Sequence, residues 1–165
     1  MQMFPNLTFA HQADEFLTKW KDNPDVVSQL RERRIHKVKF QPLFSSGGLG
    51  LQSDGSFFVA LNNIFYSEEL ALSLGHEIGH TFHHDLSTTP PTHNISEIPH
   101  EQLEDFCDAF AELWLAQQSV QEVARRIKKS RRLLWQFWAS LATNAKGNLH
   151  PVLHRRVFFL QTDYP

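Results

Sequence analysis

Four of the chain's ten histidines lie within nine residues, in the stretch HEIGHTFHH that begins at His76. Two of them, His76 and His80, flank Glu77 in the pattern H-E-x-x-H. On a helix, residues four apart share one face, so both imidazoles can reach one metal ion. Glu77 lies about 100° around such a helix, where its carboxylate can take a proton from water without binding the metal. If the segment is helical, the pattern predicts a zinc site of the zincin type.

Zinc binds three protein ligands when it keeps a fourth position open for water. The segment EQLEDFCDAFAEL carries Glu104 and Asp108, again four residues apart. Glu104 can supply the third ligand, and Asp108 can accept the proton on the outer nitrogen of a zinc-bound histidine, which holds that ring in place. Glu101 and Glu112 remain alternatives to Glu104 as the third ligand.

Several further groups near these motifs have other expected roles. His83 and His84 follow at the end of the same helix, where hydrogen-bond donors and cations are favoured, so we expect them to cap it. Cys107 is expected to be a small buried hydrophobe rather than a thiolate ligand. His150 and His154, in NLHPVLHRR, stay unassigned because nothing in the sequence brings them to the site.

The two motifs together resemble the ImmA/IrrE family of metallopeptidases. HEIGH is followed here by EDFCDAFAELWL, as H-E-x-x-H is followed in the family by a helix with a glutamate and an F-A pair. The run SFFVALN before the first motif also looks like the family's strand leading into its active-site helix. The residues that fall on the second family motif are Glu104, Cys107, Asp108, Phe110, Ala111, Glu112 and Leu113.

This resemblance covers residues 56–117 and implies roles for the residues named above. His76, His80 and Glu104 would be the zinc ligands and Glu77 the catalytic carboxylate, and the E-x-x-x-D pairing is also similar to that of thermolysin-type zincins. The resemblance implies a regulatory protease with a narrow target, commonly a DNA-binding transcriptional repressor. Gln117 stands where the family usually has proline, and no helix-turn-helix or sensory domain is expected beside the peptidase domain.

Length and composition are those of one globular domain, expected to span residues 1–165. A formal net charge of −2 gives no general attraction to nucleic acid or anionic membranes. One cysteine excludes an intramolecular disulfide. The first residues lack the basic start and apolar run of a signal peptide, and no stretch has the length of a membrane span. A soluble, cytoplasmic protein is expected.

Hydrophobic periodicity and turn residues predict an α+β fold, a mostly helical, zincin-like minimal metallopeptidase domain with a small β-sheet. Ser67 is the expected N-cap of the helix that carries the histidines, with acidic residues in its first turn. Loops are expected at 45–50 and 87–99. The expected strands are 35–40, 48–52, 56–61 and 155–160, and the expected helices are 12–22, 25–34, 67–84, 100–117, 120–129 and 131–143.

Two other functions stay open. The chain can be a non-catalytic, zinc-containing regulatory module that controls a protein partner by binding alone. It can also bind nucleic acid through residues 124–132 (ARRIKKSRR), although a solvated helix face explains such a run equally simply. Residues 133–142 (LLWQFWASLA) are expected in the core rather than on a binding surface. The favoured hypothesis is a zinc-dependent endopeptidase acting on a specific regulatory protein.

Overall fold

The computed structural model describes residues 9–22, 25–62, 67–93, 98–118, 122–125, 127–128 and 157–161, which form a mixed α+β fold, as the sequence predicted. The helices are α1 (Ala10–Trp20), α2 (Val26–Glu32), α3 (Ser67–His80) and α4 (His100–Gln117), with a 3-10 turn at Thr81–His83. The strands are β1 (Ile35–Gln41), β2 (Gly47–Leu51), β3 (Phe57–Asn62), β4 (His84–Asp85), β5 (Thr92–His93) and β6 (Val157–Gln161).

Within the described part of the chain, the main sheet has four strands in the order β2-β3-β1-β6. β1 and β3 run parallel, whereas β2 is antiparallel to β3 and β6 is antiparallel to β1. Five of the six residues of β3 are buried, as expected for an apolar strand in the interior of a sheet. β2 lies at the edge, beside α3, and the short strands β4 and β5 form a separate ladder.

Helices α3 and α4 pack closely because α3 presents two glycines to α4. A Cβ atom added to Gly75 would lie 3.1 Å from Ala111 Cα, and one added to Gly79 would lie 3.1 Å from Cys107 Cα. Both distances are shorter than ordinary carbon–carbon contacts, so any side chain at either position would push the helices apart. Each glycine directly precedes a histidine, so the same close contact brings His76 and His80 towards α4.

The C-terminal end of α3 is held by a buried arginine from the turn between α2 and β1. Arg33 donates from Nε to Thr81 Oγ1 (2.9 Å) and from a terminal nitrogen to the Thr81 carbonyl oxygen (3.1 Å). Its guanidinium also lies 3.9 Å from the centre of the Phe82 ring. These bonds satisfy polar groups left without partners where the helix ends.

Four predictions of secondary structure were wrong in whole or in part. α3 ends at His80 rather than 84, because the chain tightens into the 3-10 turn and then enters β4. Ser67 is the first helical residue rather than the N-cap. The loop predicted at 45–50 was wrong from residue 47, because residues 47–51 form β2 and pair with β3; the strand predicted at 48–52 is confirmed. The predicted loop 87–99 contains β5, which pairs with β4.

The C-terminal part of the chain is described only in places. Residues 122–125 and 127–128 are helical, within the predicted helix 120–129, and β6 overlaps the strand predicted at 155–160. Arg125, within the basic run, forms an ion pair of 2.8 Å with Glu122. The predicted helix 131–143, the apolar run 133–142 and both His150 and His154 lie outside the described residues. Within those residues, no helix has the length and apolar character needed to cross a membrane.

Candidate metal centre

The three predicted metal ligands converge on one point between α3 and α4. Nε2 of His76 lies 3.0 Å from Nε2 of His80. One carboxylate oxygen of Glu104, Oε2, is 3.1 Å from His76 Nε2, and the other, Oε1, is 3.4 Å from His80 Nε2. All three side chains are partly accessible, with exposed fractions of 20%, 23% and 37% for His76, His80 and Glu104.

Helix periodicity on both sides produces this convergence. His76 and His80 are one turn apart on α3, so their rings project from one face. Glu104 and Asp108 have the same spacing on α4, and Asp108 reaches the outer nitrogen of His76. His76 Nδ1 donates to Asp108 Oδ1 at 2.7 Å, as predicted for a carboxylate that holds a ligand ring. Asp108 itself is 71% exposed.

The donor set fits a metal ion. The pKa of His80 is lowered to about 4, first by burial and then by the neighbouring His76, so its ring is neutral and Nε2 offers a lone pair. The lone pairs of two imidazoles and a carboxylate facing one another repel unless a proton or a cation lies between them. Imidazole nitrogen and carboxylate oxygen are common ligands of divalent transition metals.

Cys107 is an alternative to Glu104 as the third metal ligand beside His76 and His80. The ligand atoms of His76, His80 and Cys107 all lie within 4.8 Å of one another, so these three residues could also hold a metal ion. Cys107 is fully buried, as expected for a small apolar side chain. Burial raises the pKa of its thiol well above the usual range, and the carboxylates of Glu104, Glu77 and Asp108 raise it further. Cys107 is therefore a thiol in this environment.

Glu77 lies beside the metal-binding group but points towards the sheet. The residue is 5% exposed. A Cβ atom added to Gly47 would lie 3.1 Å from Glu77 Oε1, so the carboxylate lies directly under the edge strand β2. Burial raises the pKa of Glu77 to about 7, while His76 lowers it and Glu104 raises it. With a pKa near 7, the Glu77 carboxylate can both accept and release a proton at neutral pH.

The metal-binding group of His76, His80 and Glu104 lines a cavity of about 620 Å³ between α3, α4 and the sheet edge. One wall is the segment that enters and forms β2, residues 45–49, and the opposite wall is α3 with Leu72, Ser73, His76 and Glu77. His84 and His93, paired across β4 and β5 with ring centres 4.9 Å apart, border the cavity as well. His100 also lines it, with Nε2 3.7 Å from Glu104 Oε1.

The structure separates the alternatives left by the sequence. Glu101 and Glu112 are exposed and do not line the cavity, whereas Glu104 does. The expectation that the side chains of His83 and His84 cap α3 was wrong. His84 lies in β4, and its ring packs edge-on against Phe57 at 5.0 Å. His83 is 2% exposed and packs against Phe9, because residues from outside the helix enclose the turn after His80.

Sequence reasoning missed three features of this site. The first is the packing of Gly47 against Glu77, since the strand predicted at 48–52 gives no sign of what lies under its edge. The second is the pair Gly75 and Gly79, whose spacing of four residues was a usable signal for helix contact. The third is His83, three residues after His80, a spacing at which side chains on a helix or a tight turn can meet.

Comparison with known proteins found no family model, no curated protein and no solved structure that matches this chain.

Proposed function

We propose that this protein is a zinc-dependent endopeptidase of the ImmA/IrrE type. One observation carries the proposal: two imidazole nitrogens and a carboxylate converge within 3.0–3.4 Å beside the buried carboxylate of Glu77, in an open cavity. A purely structural zinc site is usually closed by four protein ligands. Three converging donors at the wall of a cavity are instead typical of a catalytic site.

Zinc would be held by His76, His80 and Glu104. Ligand atoms 2.0–2.2 Å from a tetrahedral zinc ion lie about 3.3–3.6 Å apart, and the distances among these three side chains are close to that range. Glu104 is favoured over Cys107 because its two oxygens lie 3.1 and 3.4 Å from the imidazole nitrogens, and because Glu104 lines the cavity. The ligand atoms of His76, His80 and Cys107 lie within 4.8 Å of one another, and Cys107 is fully buried. Asp108 would fix the tautomer and orientation of the His76 ring.

Glu77 would act as the general base and acid. When bound, zinc would supply Lewis-acid chemistry, lowering the pKa of water and polarising the carbonyl of the scissile peptide bond. Glu77 would accept a proton from the attacking water and then pass it to the leaving amine. Its burial under Gly47 restricts the rotamers of its side chain, and Glu77 lines the cavity beside the metal ligands.

An extended peptide is the substrate favoured by the edge strand β2, which forms part of the cavity wall. The outer edge of β2 pairs with no strand among the residues that the structure describes, so its backbone amide and carbonyl groups are open to a partner. A peptide added to this edge would lie along one wall of the cavity, above Glu77 and the metal ligands. Main-chain pairing gives affinity, and pockets for alternate side chains give selectivity.

The specific target is inferred from the resemblance alone. A DNA-binding transcriptional repressor is the target class that the resemblance to the ImmA/IrrE family suggests. The test uses the zinc-loaded, full-length Glu77→Gln chain as bait, since it should hold a substrate without cutting it. Each captured protein is then incubated with the wild-type chain, with and without a zinc chelator, and new peptide termini are identified by mass spectrometry.

Wild type and two variants are compared in this test. Wild type should cut a captured protein at a defined bond, and Glu77→Gln should keep its zinc while cutting at least about 10²-fold more slowly. Glu112→Gln, which changes an exposed glutamate on α4 away from the cavity, should cut like wild type. Equal cutting by Glu77→Gln would contradict the mechanism. Captured partners that wild type holds with zinc but never cuts would instead identify a non-catalytic binding module.

A further inference from the structure

His83 contacts the ring nitrogen of His80 opposite to the one that faces His76, and it also lines the cavity. Its Nδ1 is 3.4 Å from Nδ1 of His80, and its Nε2 is 3.8 Å from Cys107 Sγ. Phe9 packs edge-on against the ring at 4.8 Å, and Phe106 lies tilted against it at 5.7 Å. The ring is therefore enclosed on several sides and has little freedom to rotate.

The direction of these hydrogen bonds follows from the chemistry of neutral imidazole, which carries a proton on one nitrogen only. When Nε2 of His80 binds a metal ion, the proton of this ring is on Nδ1, which faces His83 Nδ1 at 3.4 Å and donates to it. His83 Nδ1 must then be the acceptor, which leaves its proton on Nε2. That proton points at Cys107 Sγ, a weak acceptor as a thiol.

We propose that His83 is a positioning residue for the metal site, which fixes the tautomer and orientation of His80. It does for His80 what Asp108 does for His76, but with a neutral imidazole in a buried environment instead of an exposed carboxylate. The two ligand histidines therefore differ in basicity, since a carboxylate partner makes a ligand imidazole more electron-rich. This inference rests on the zinc site of the proposed function.

The role of His83 can be tested by metal binding to the full-length chain, measured with Co²⁺ as the probe. His83→Leu removes the acceptor and keeps a side chain of similar size, so Co²⁺ affinity should fall about 10–100-fold. His83→Asn returns an acceptor oxygen near the position of Nδ1, so it should recover most of that affinity. Phe106→Leu is the matched control, because it loosens the packing around the ring and leaves both nitrogens present.

A second measurement reads the tautomer directly. Nitrogen-15 NMR of the imidazoles in the chain loaded with diamagnetic Zn²⁺ should find the proton of His83 on Nε2 and that of His80 on Nδ1. The proposal is overturned if His83→Leu binds Co²⁺ as tightly as wild type, if Phe106→Leu weakens binding equally, or if His83 carries its proton on Nδ1. A wild-type chain that binds no Co²⁺ would instead contradict the metal site itself, and with it the proposed function.

Discussion

Replacing Gly75 by alanine tests whether α3 and α4 approach as closely as the metal site requires. The added Cβ would meet Trp114 Cε3 at 2.9 Å and Ala111 Cα at 3.1 Å. Carbon atoms attract best at about 3.5–4.0 Å, so the helices must open by roughly 0.6 Å to relieve the shorter contact. Trp114 cannot give way easily, since it is fully buried and its indole nitrogen donates to Gln29 Oε1 at 2.7 Å.

Two opposing effects set the expected free energy of unfolding. Alanine in the interior of a helix is favoured over glycine by about 1 kcal/mol. Overpacking a close interface costs about 1–3 kcal/mol, and a rigid partner on both contacts puts Gly75→Ala near the upper end of that range. A net loss of about 2 kcal/mol is expected, which lowers the melting temperature of the metal-free chain by about 4–8 °C.

The same opening should weaken metal binding. It would stretch the 3.1 Å distance between His76 Nε2 and Glu104 Oε2, and Zn²⁺ affinity should fall on the order of tenfold, or about 1.4 kcal/mol. Thermal unfolding in chelator and competition with a zinc-binding dye measure the two effects. Gly48→Ala is the control, because its added Cβ meets nothing within 4 Å. If Gly75→Ala is more stable than wild type and binds Zn²⁺ with unchanged affinity, the close packing of α3 on α4 is refuted.

Three further predictions concern the residues around the site. Arg33→Met leaves the buried Thr81 carbonyl without its donor, so chemical unfolding should find a free energy of unfolding lower by about 1–3 kcal/mol. A higher free energy of unfolding would mean that burying the guanidinium costs more than its hydrogen bonds contribute. Asp108→Ala removes the acceptor of His76, and Zn²⁺ affinity should fall about tenfold, the smaller end of the usual range because Asp108 is exposed; unchanged affinity would exclude an orienting role. Burial, followed by the charge of His93, lowers the pKa of His84 to about 4. Below pH 6.5, the ordinary histidine pKa, His84 therefore binds a proton in the unfolded chain but not in the folded chain. The free energy of unfolding consequently falls as the pH is lowered from 6.5 to 4. Unfolding of the metal-free chain across that range should find a smaller fall in His84→Leu, and an equal fall would show that His84 is not involved.

The parts of the site that could be predicted from the sequence depend on local geometry. The spacing of His76 and His80 fixes their common face once α3 is helical, and the spacing of Glu104 and Asp108 does the same on α4. The sequence alone left Glu101 and Glu112 as rivals to Glu104. Only the packing of α3 on α4 selects among three carboxylates on one helix, and that packing depends on Gly75 and Gly79, whose role is not local.

The features that sequence reasoning missed depend on residues far apart in the chain. α3 ends at His80 rather than 84 because Arg33, 48 residues before Thr81, supplies the donors that satisfy its end. His83 is buried because Phe9 and Phe106 pack against it from other elements. β2 begins at Gly47, within the predicted loop 45–50, because β3 pairs with it along its whole length. Helix periodicity and turn residues carry none of this information.

X-ray absorption at the zinc edge of the zinc-loaded full-length chain tests most directly that His76, His80 and Glu104 hold the ion. The spectrum should fit nitrogen and oxygen ligands at about 2.0–2.2 Å, with scattering from two imidazole rings and no sulfur. In Glu104→Ala one oxygen ligand should be lost, whereas Cys107→Ala should leave the spectrum unchanged. A sulfur ligand at about 2.3 Å that disappears in Cys107→Ala, or no zinc bound by the wild-type chain, would contradict the account.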